Sequence, residues 1–87
     1  MKFHNVIKQS GDKQPFNSSK IADSIYKAAT KVGGKDKSLA DNIAIEVIAL
    51  LEERYPTQRE ITTEEIGNSV EKVLIENGHA KTAKEFI

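Results

Sequence analysis

Three lysines, Lys8, Lys13 and Lys20, fall within a short stretch near the start of the chain. Lys8 and Lys13 flank a turn signal, and Lys20 sits where a helix begins. A cation in the first turn of a helix opposes the helix dipole, so Lys20 is either solvated or has an anion to meet. If the hairpin folds back over the helix start, Lys8, Lys20 and free N-terminal amides converge on one concave spot. That combination is a recipe for an anion site. Gln14 and Asn17 stand nearby, and a carboxamide both donates and accepts, as reading the edge of an adenine requires.

Other chemistry is sparse. There is no GxxxxGK(S/T) or GxGxxG loop, so two common phosphate cradles are absent. His4 and His79 share no metal-ligand spacing, and no Ser–His–Asp set is visible; His79, after Gly78, reads as a helix-start or surface residue. Glu64 and Glu65 form a carboxylate pair. In the first turn of a helix, however, acids suit the dipole and need no catalytic role. With no cysteine, these residues hold no disulfide, zinc ribbon, iron–sulfur site or thiol nucleophile.

The elements that must position these residues belong to one small domain. The 87 residues are 38% apolar and 30% charged, ordinary for a globular chain. A chain of this length buries roughly 60–65% of its unfolded surface, too little to enclose a large active site, and no stand-alone enzyme is expected. Net charge is zero but unevenly spread. Residues 1–37 carry eight lysines against three aspartates, and residues 38–87 carry five bases against ten acids. A polyanion would be drawn to the first part and repelled by the second. With only five aromatic residues, none at stacking-motif spacing, nucleic acid is an unlikely partner on this reading. The opening residues form no apolar leader. The stretch from Ile43 to Leu51 is broken by Glu46 and is too short to span a bilayer. A cytoplasmic location and no membrane partner are expected.

Residues 2–8 and 13–16 read as a β-hairpin around Ser10-Gly11-Asp12. Phe3 and Ile7 are expected on one face and Val6 on the other, with Pro15 marking an edge strand. Asn17, Ser18 and Ser19 are N-cap candidates for a first helix, whose stripe is Ile21, Ile25, Ala28, Ala29 and Val32. Gly33-Gly34 stops it. A second helix from near Ser38 carries Leu39, Ile43, Val47, Leu50 and Leu51, widened by Ala44 and Ile48, and ends before Pro56. Gln58 to Ile61 reads as a short third strand. Thr62 and Glu65 have capping-box spacing ahead of a third helix with Ile66, Val70, Val73 and Leu74, and Gly78 is its C′ residue. His79 to Ile87 reads as a last helix. Two apolar residues at its end, Phe86 and Ile87, suggest that residues 1–87 form a single domain at the N-terminal part of a longer protein.

These residues carry a resemblance. Val6-Ile7-Lys8-Gln9-Ser10-Gly11-Asp12, continuing through Phe16 to Lys20-Ile21, is similar to the opening of the ATP-cone family. That opening runs V-x-K-R-(D/S)-G, then an apolar position, then K-I. Ile61 to Ile66 with Val70 to Leu74 resembles the family's T-x-E-E-I…V-E-x-x-L segment, and Gly78 to Ile87 resembles its close. The likeness covers nearly the whole chain in order. It implies an α+β fold: a small β-hairpin or three-stranded cap over a bundle of about four helices, holding ATP or dATP with Mg2+ as effector. By the resemblance, Lys8 and Lys20 would meet phosphates, Gln14 and Asn17 would lie near the base, and Thr63 near ribose or phosphate. Val6 and Ile21 would contact the base or support the site. Two departures stand out: Gln9 replaces the family's arginine, and Gly67 replaces a polar residue after T-x-E-E-I.

Cones of this family stand at the N-terminus of ribonucleotide reductases and beside a zinc ribbon in a repressor of reductase genes. With no cysteine present, the reductase reading is preferred here. In that reading the chain is an allosteric regulatory domain, most like those of the anaerobic class. Its partners would be the catalytic domain of the parent enzyme and, through the cone, an oligomer. The alternatives are a protein-interaction module with a vestigial nucleotide site, or the nucleotide-sensing part of a transcriptional regulator.

Overall fold

The computed structural model describes residues 3–86. Three short strands, β1 (Asn5–Ile7), β2 (Lys13–Pro15) and β3 (Glu60–Thr62), cap four helices: α1 (Ser18–Thr30), α2 (Lys37–Arg54), α3 (Thr63–Glu76) and α4 (Ala80–Phe86). The architecture is α+β, as the resemblance implies.

The sheet order is β2-β1-β3, with β1 antiparallel to β2 and parallel to β3. Pro15 therefore lies on an edge strand, where its missing N–H leaves no gap in the ladder. The hairpin closes through Lys8 N–H to Asp12 O and Gly11 N–H to Lys8 O, each 2.8 Å. Gly11 takes φ +93°, the left-handed region glycine enters without steric cost. Val6 is paired with both Gln14 and Ile61, so these three side chains share a face. Ile61 is fully buried, which makes that face the inner one. Lys13 and Glu60 meet on the outer face at 2.8 Å.

The strands are shorter than the sequence suggests, and one pairing of faces changes. Phe3 is in the core, stacked at a tilt on Phe16 with ring centroids 5.5 Å apart. Ile7 lines the outer side of the sheet. Phe3 precedes the strand, so the two-residue alternation does not extend to it.

Three of the four helices start on a side chain that satisfies orphan amides. Asn17 caps α1, Asp36 caps α2, and Thr62 with Glu65 forms a capping box on α3. Gly78, at φ +81°, ends α3. The core runs through Ile25, Val47, Leu51, Ile61, Val70 and Leu74. Helix α2 turns Ala40, Ile43, Ala44, Val47 and Leu51 inward. Leu39, expected in that stripe, is 41% exposed, because one residue of offset rotates a side chain by about 100°. Val32 is exposed because α1 ends at Thr30. Helix α1 packs on α2 and α4, and α3 on α2 and α4. Phe86 is half-buried against the core, while Ile87 lies outside the described residues. Among the described residues no helix is long and apolar enough to cross a membrane.

Candidate functional site

The inner face of the hairpin does not close fully onto the helices. Between them lies a cleft of about 280 Å3, near the lower edge of the ~300–1,000 Å3 typical of small-molecule sites. Val6, Lys8, Gln14, Pro15, Phe16 and Asn17 line it from the cap side. Lys20, Ile21 and Ser24 come from α1, Thr63, Ile66 and Gly67 from α3, and Phe86 from α4.

The chemistry of the wall is one-sided. Among the described residues, two lysines line it and no carboxylate does. Neither Lys8 nor Lys20 is in an ion pair among the described residues, whereas Lys13 is held by Glu60 on the outer face. The cap geometry thus sorts the three hairpin-region lysines: two face the cleft and one does not. The hydrogen bond from Lys13, with a smaller contribution from Asn5, holds the Glu60 carboxyl below the usual glutamate range.

Seven of the eight residues proposed from the sequence line this cleft: Val6, Lys8, Gln14, Asn17, Lys20, Ile21 and Thr63. Gln9 does not. It lies on an adjoining open depression with Ile7, Lys8, Thr62, Thr63 and Glu64. Lys8 and Thr63 border both hollows, so they form the passage between the cleft and the N-terminus of α3. Glu65 faces its own helix start, accepting from Thr62 N–H at 2.9 Å and Thr62 Oγ1 at 3.1 Å. That is the capping role rather than a catalytic one.

Asn17 lines the cleft and also caps α1. Its Oδ1 accepts from Ser19 N–H at 3.0 Å and from Ser19 Oγ at 2.7 Å. The carbonyl end is committed to the cap, and the amide NH2 is the part left to present to a ligand.

Pro15, Phe16, Ser24, Ile66 and Phe86 were not among the proposed site residues. Ser24 had a signal in the sequence, since it follows Lys20 by four and Ile21 by three and so shares their side of the helix. Phe86 had none, because only the return of α4 onto α1 brings it to the cleft. No group of three or more His, Asp or Glu able to hold a metal occurs among the described residues. With no carboxylate in the wall either, the described residues do not form a magnesium site.

A profile of the family described as ATP cone domain matches residues 4–87. The chain belongs to the ATP-cone family. An ATP cone is a regulatory domain that binds adenine nucleotides, which accords with a cationic, partly apolar cleft. Two relatives resemble this cone over most of its length, both named transcriptional repressor NrdR. The one from Crocosphaera subtropica is 39% identical over 71 residues, covering 82% of this chain and 36% of the relative. The one from Rippkaea orientalis is 39% identical over 69 residues, covering 79% of this chain and 37% of the relative. The cone thus spans about a third of the length of these relatives.

These relatives correct two expectations. The reductase reading gives way, because the similar proteins are named repressors. It had rested on the missing cysteines of a zinc ribbon, and a stretch matching a third of a protein says nothing about what the other two thirds contain. The expectation that nucleic acid is an unlikely partner falls with it, since a transcriptional repressor acts on DNA. The charge argument behind it concerned this domain alone.

Proposed function

We propose that this ATP cone is the adenine-nucleotide-sensing domain of a transcriptional regulator, with residues 1–87 acting as one module of a longer protein. The observation that carries the nucleotide reading is the cleft, where two lysines with no carboxylate partner among the described residues border a part-apolar wall. The relatives named as repressors support the regulatory output. DNA enters as a partner of the regulator as a whole.

In this reading the triphosphate lies along the passage between Lys8 and Thr63 and is neutralised by Lys8 and Lys20. Charge-assisted hydrogen bonds of this kind are worth about 1.5–3 kcal/mol each. The N-terminus of α3 adds its dipole at the same end. The base lies against Val6 and Ile21. Gln14, on the inward face of β2, accepts from the 6-amino group, and the Asn17 NH2 donates to a ring nitrogen. If Mg2+ accompanies the nucleotide, the phosphates themselves hold it.

Sensing requires that ATP and dATP favour different states, because a ligand with equal affinity for two states shifts nothing. Coupling between sites is typically about 1–3 kcal/mol. Titration calorimetry tests the binding side. ATP and dATP are expected to bind in the micromolar range or tighter. GTP presents a carbonyl where adenine has an amino group and leaves polar groups unpaired, for a loss of roughly 5- to 150-fold. GTP matching ATP would reject the base assignment. No binding of any nucleotide at millimolar concentration would reject the sensor.

A further inference from the structure

We propose that Gly67 widens the nucleotide cleft by leaving beside α3 the room that a side chain would fill. The inference rests on the reading of the cleft as a nucleotide site. Gly67 is inside α3, four residues after Thr63 and on the same stripe, and both residues line the cleft. Glycine is the least favourable residue inside a helix apart from proline, so its presence needs a reason.

Two usual reasons fail. The backbone does not require it: positive φ occurs at Gly11, Gly33 and Gly78, and Gly67 is not among them. Packing does not require it either. A Cβ built at Gly67 meets nothing within 4 Å, whereas one at Gly34 would come within 3.0 Å of Ala29. The space beside Gly67 is therefore open, and it opens on a cleft of only about 280 Å3. In so small a site one branched side chain takes a large share of the room. The missing side chain leaves that room for the ligand, at a cost to the stability of the free helix.

This predicts opposite movements of stability and affinity. In thermal melts without ligand, Gly67→Ala is expected to raise the midpoint by roughly 2–8 °C, and Gly67→Leu to melt no lower than the parent. In calorimetry with ATP, Gly67→Leu is expected to lose roughly 5- to 150-fold in affinity, as overfilling a packed site does, and Gly67→Ala less. A Gly67→Leu chain that binds ATP like the parent would overturn the assignment, and so would a lowered midpoint in Gly67→Ala, which would mean that packing demands the glycine. Lys8→Ala, run alongside, separates the two readings. If it loses ATP while Gly67→Leu does not, the cleft stands and the role of Gly67 falls. A parent chain that binds no ATP at millimolar concentration overturns both.

Discussion

Helix α1 has a different hollow on each side of its first two turns. On one side Asn17, Lys20, Ile21 and Ser24 face the cationic cleft. On the other, Ser18, Ser19 and Ala22 face a groove completed by Asp41, Ala44, Ile45, Ile48, Ala49 and Glu52 of α2. The groove is larger, about 510 Å3 against about 280 Å3. Among the described residues, it is lined by two carboxylates and no cation, and the cleft by two cations and no carboxylate. Volume alone would choose the wrong side for an anion. The rotation of about 100° per helical residue is what separates Ser19 from its neighbour Lys20, so a few polar substitutions on one helix define two surfaces of opposite sign. Lys37 reinforces the acidic flank's self-sufficiency by bonding Asp23 at 3.1 Å and Asp41 at 3.2 Å; those bonds hold its ammonium above the usual lysine range.

The largest effect should follow removal of charge on the cationic side. Lys8→Ala is expected to weaken ATP roughly tenfold or more, read by calorimetry, with little change in unfolding midpoint because Lys8 is exposed. The mirror substitution on the acidic side, Glu52→Lys, should leave ATP affinity within about twofold, since the groove is a separate surface and exposed charges are screened within about a Debye length. Equal effects from the two substitutions would mean that the nucleotide responds to net charge and not to a site.

Phe86→Ala comes next. The ring is half-buried against the core and also lines the cleft, so truncation should cost about 1–3 kcal/mol of stability, below the range for a fully buried phenylalanine, and weaken ATP together with it. Urea unfolding with and without ATP checks both. Asn17 sharpens the comparison at the hinge between the two hollows. Asn17→Ala should lose about 0.5–2 kcal/mol through the lost cap. Asn17→Ser should keep most of that stability while losing the amide donor, and with it part of the preference for adenine over guanine. The smallest effect concerns the outer face of the sheet. Glu60 titrates below the ordinary glutamate value near 4.5, so its contribution to stability is fully present above that value and is lost as pH falls through the lowered one. Glu60→Gln should flatten the stability profile below about pH 4.5 and leave ATP binding at neutral pH unchanged.

Much of this was legible in the sequence for a physical reason: caps and turns are local. Asn17, Thr62 with Glu65, Gly11 and Gly78 each act within a few residues of their own position, so spacing alone located them. Lys8 and Lys20 were legible because a hairpin followed by a helix leaves little freedom in how their segments meet. Contacts made by distant segments were not legible. Which face of the sheet Lys13 takes depends on β3 arriving beside β1 with Glu60 in register. Phe86 reaches the cleft only through the packing of α4. Ala40 displaces Leu39 from the core because helix rotation is set by α1 and α3, not by hydrophobicity at one position. Gln9 matched a family position next to Lys8, yet it lies in the turn after β1 and borders the adjoining depression, not the cleft.

The central claim is that the cationic flank of α1, and not the acidic one, receives an adenine nucleotide. Backbone amide shifts followed by NMR during an ATP titration test it most directly. The account predicts saturable shifts at Lys8, Asn17, Lys20, Thr63 and Gly67, with Ile45, Ala49 and Glu52 nearly still. Shifts centred on the α1–α2 groove, or none anywhere at millimolar ATP, would contradict it.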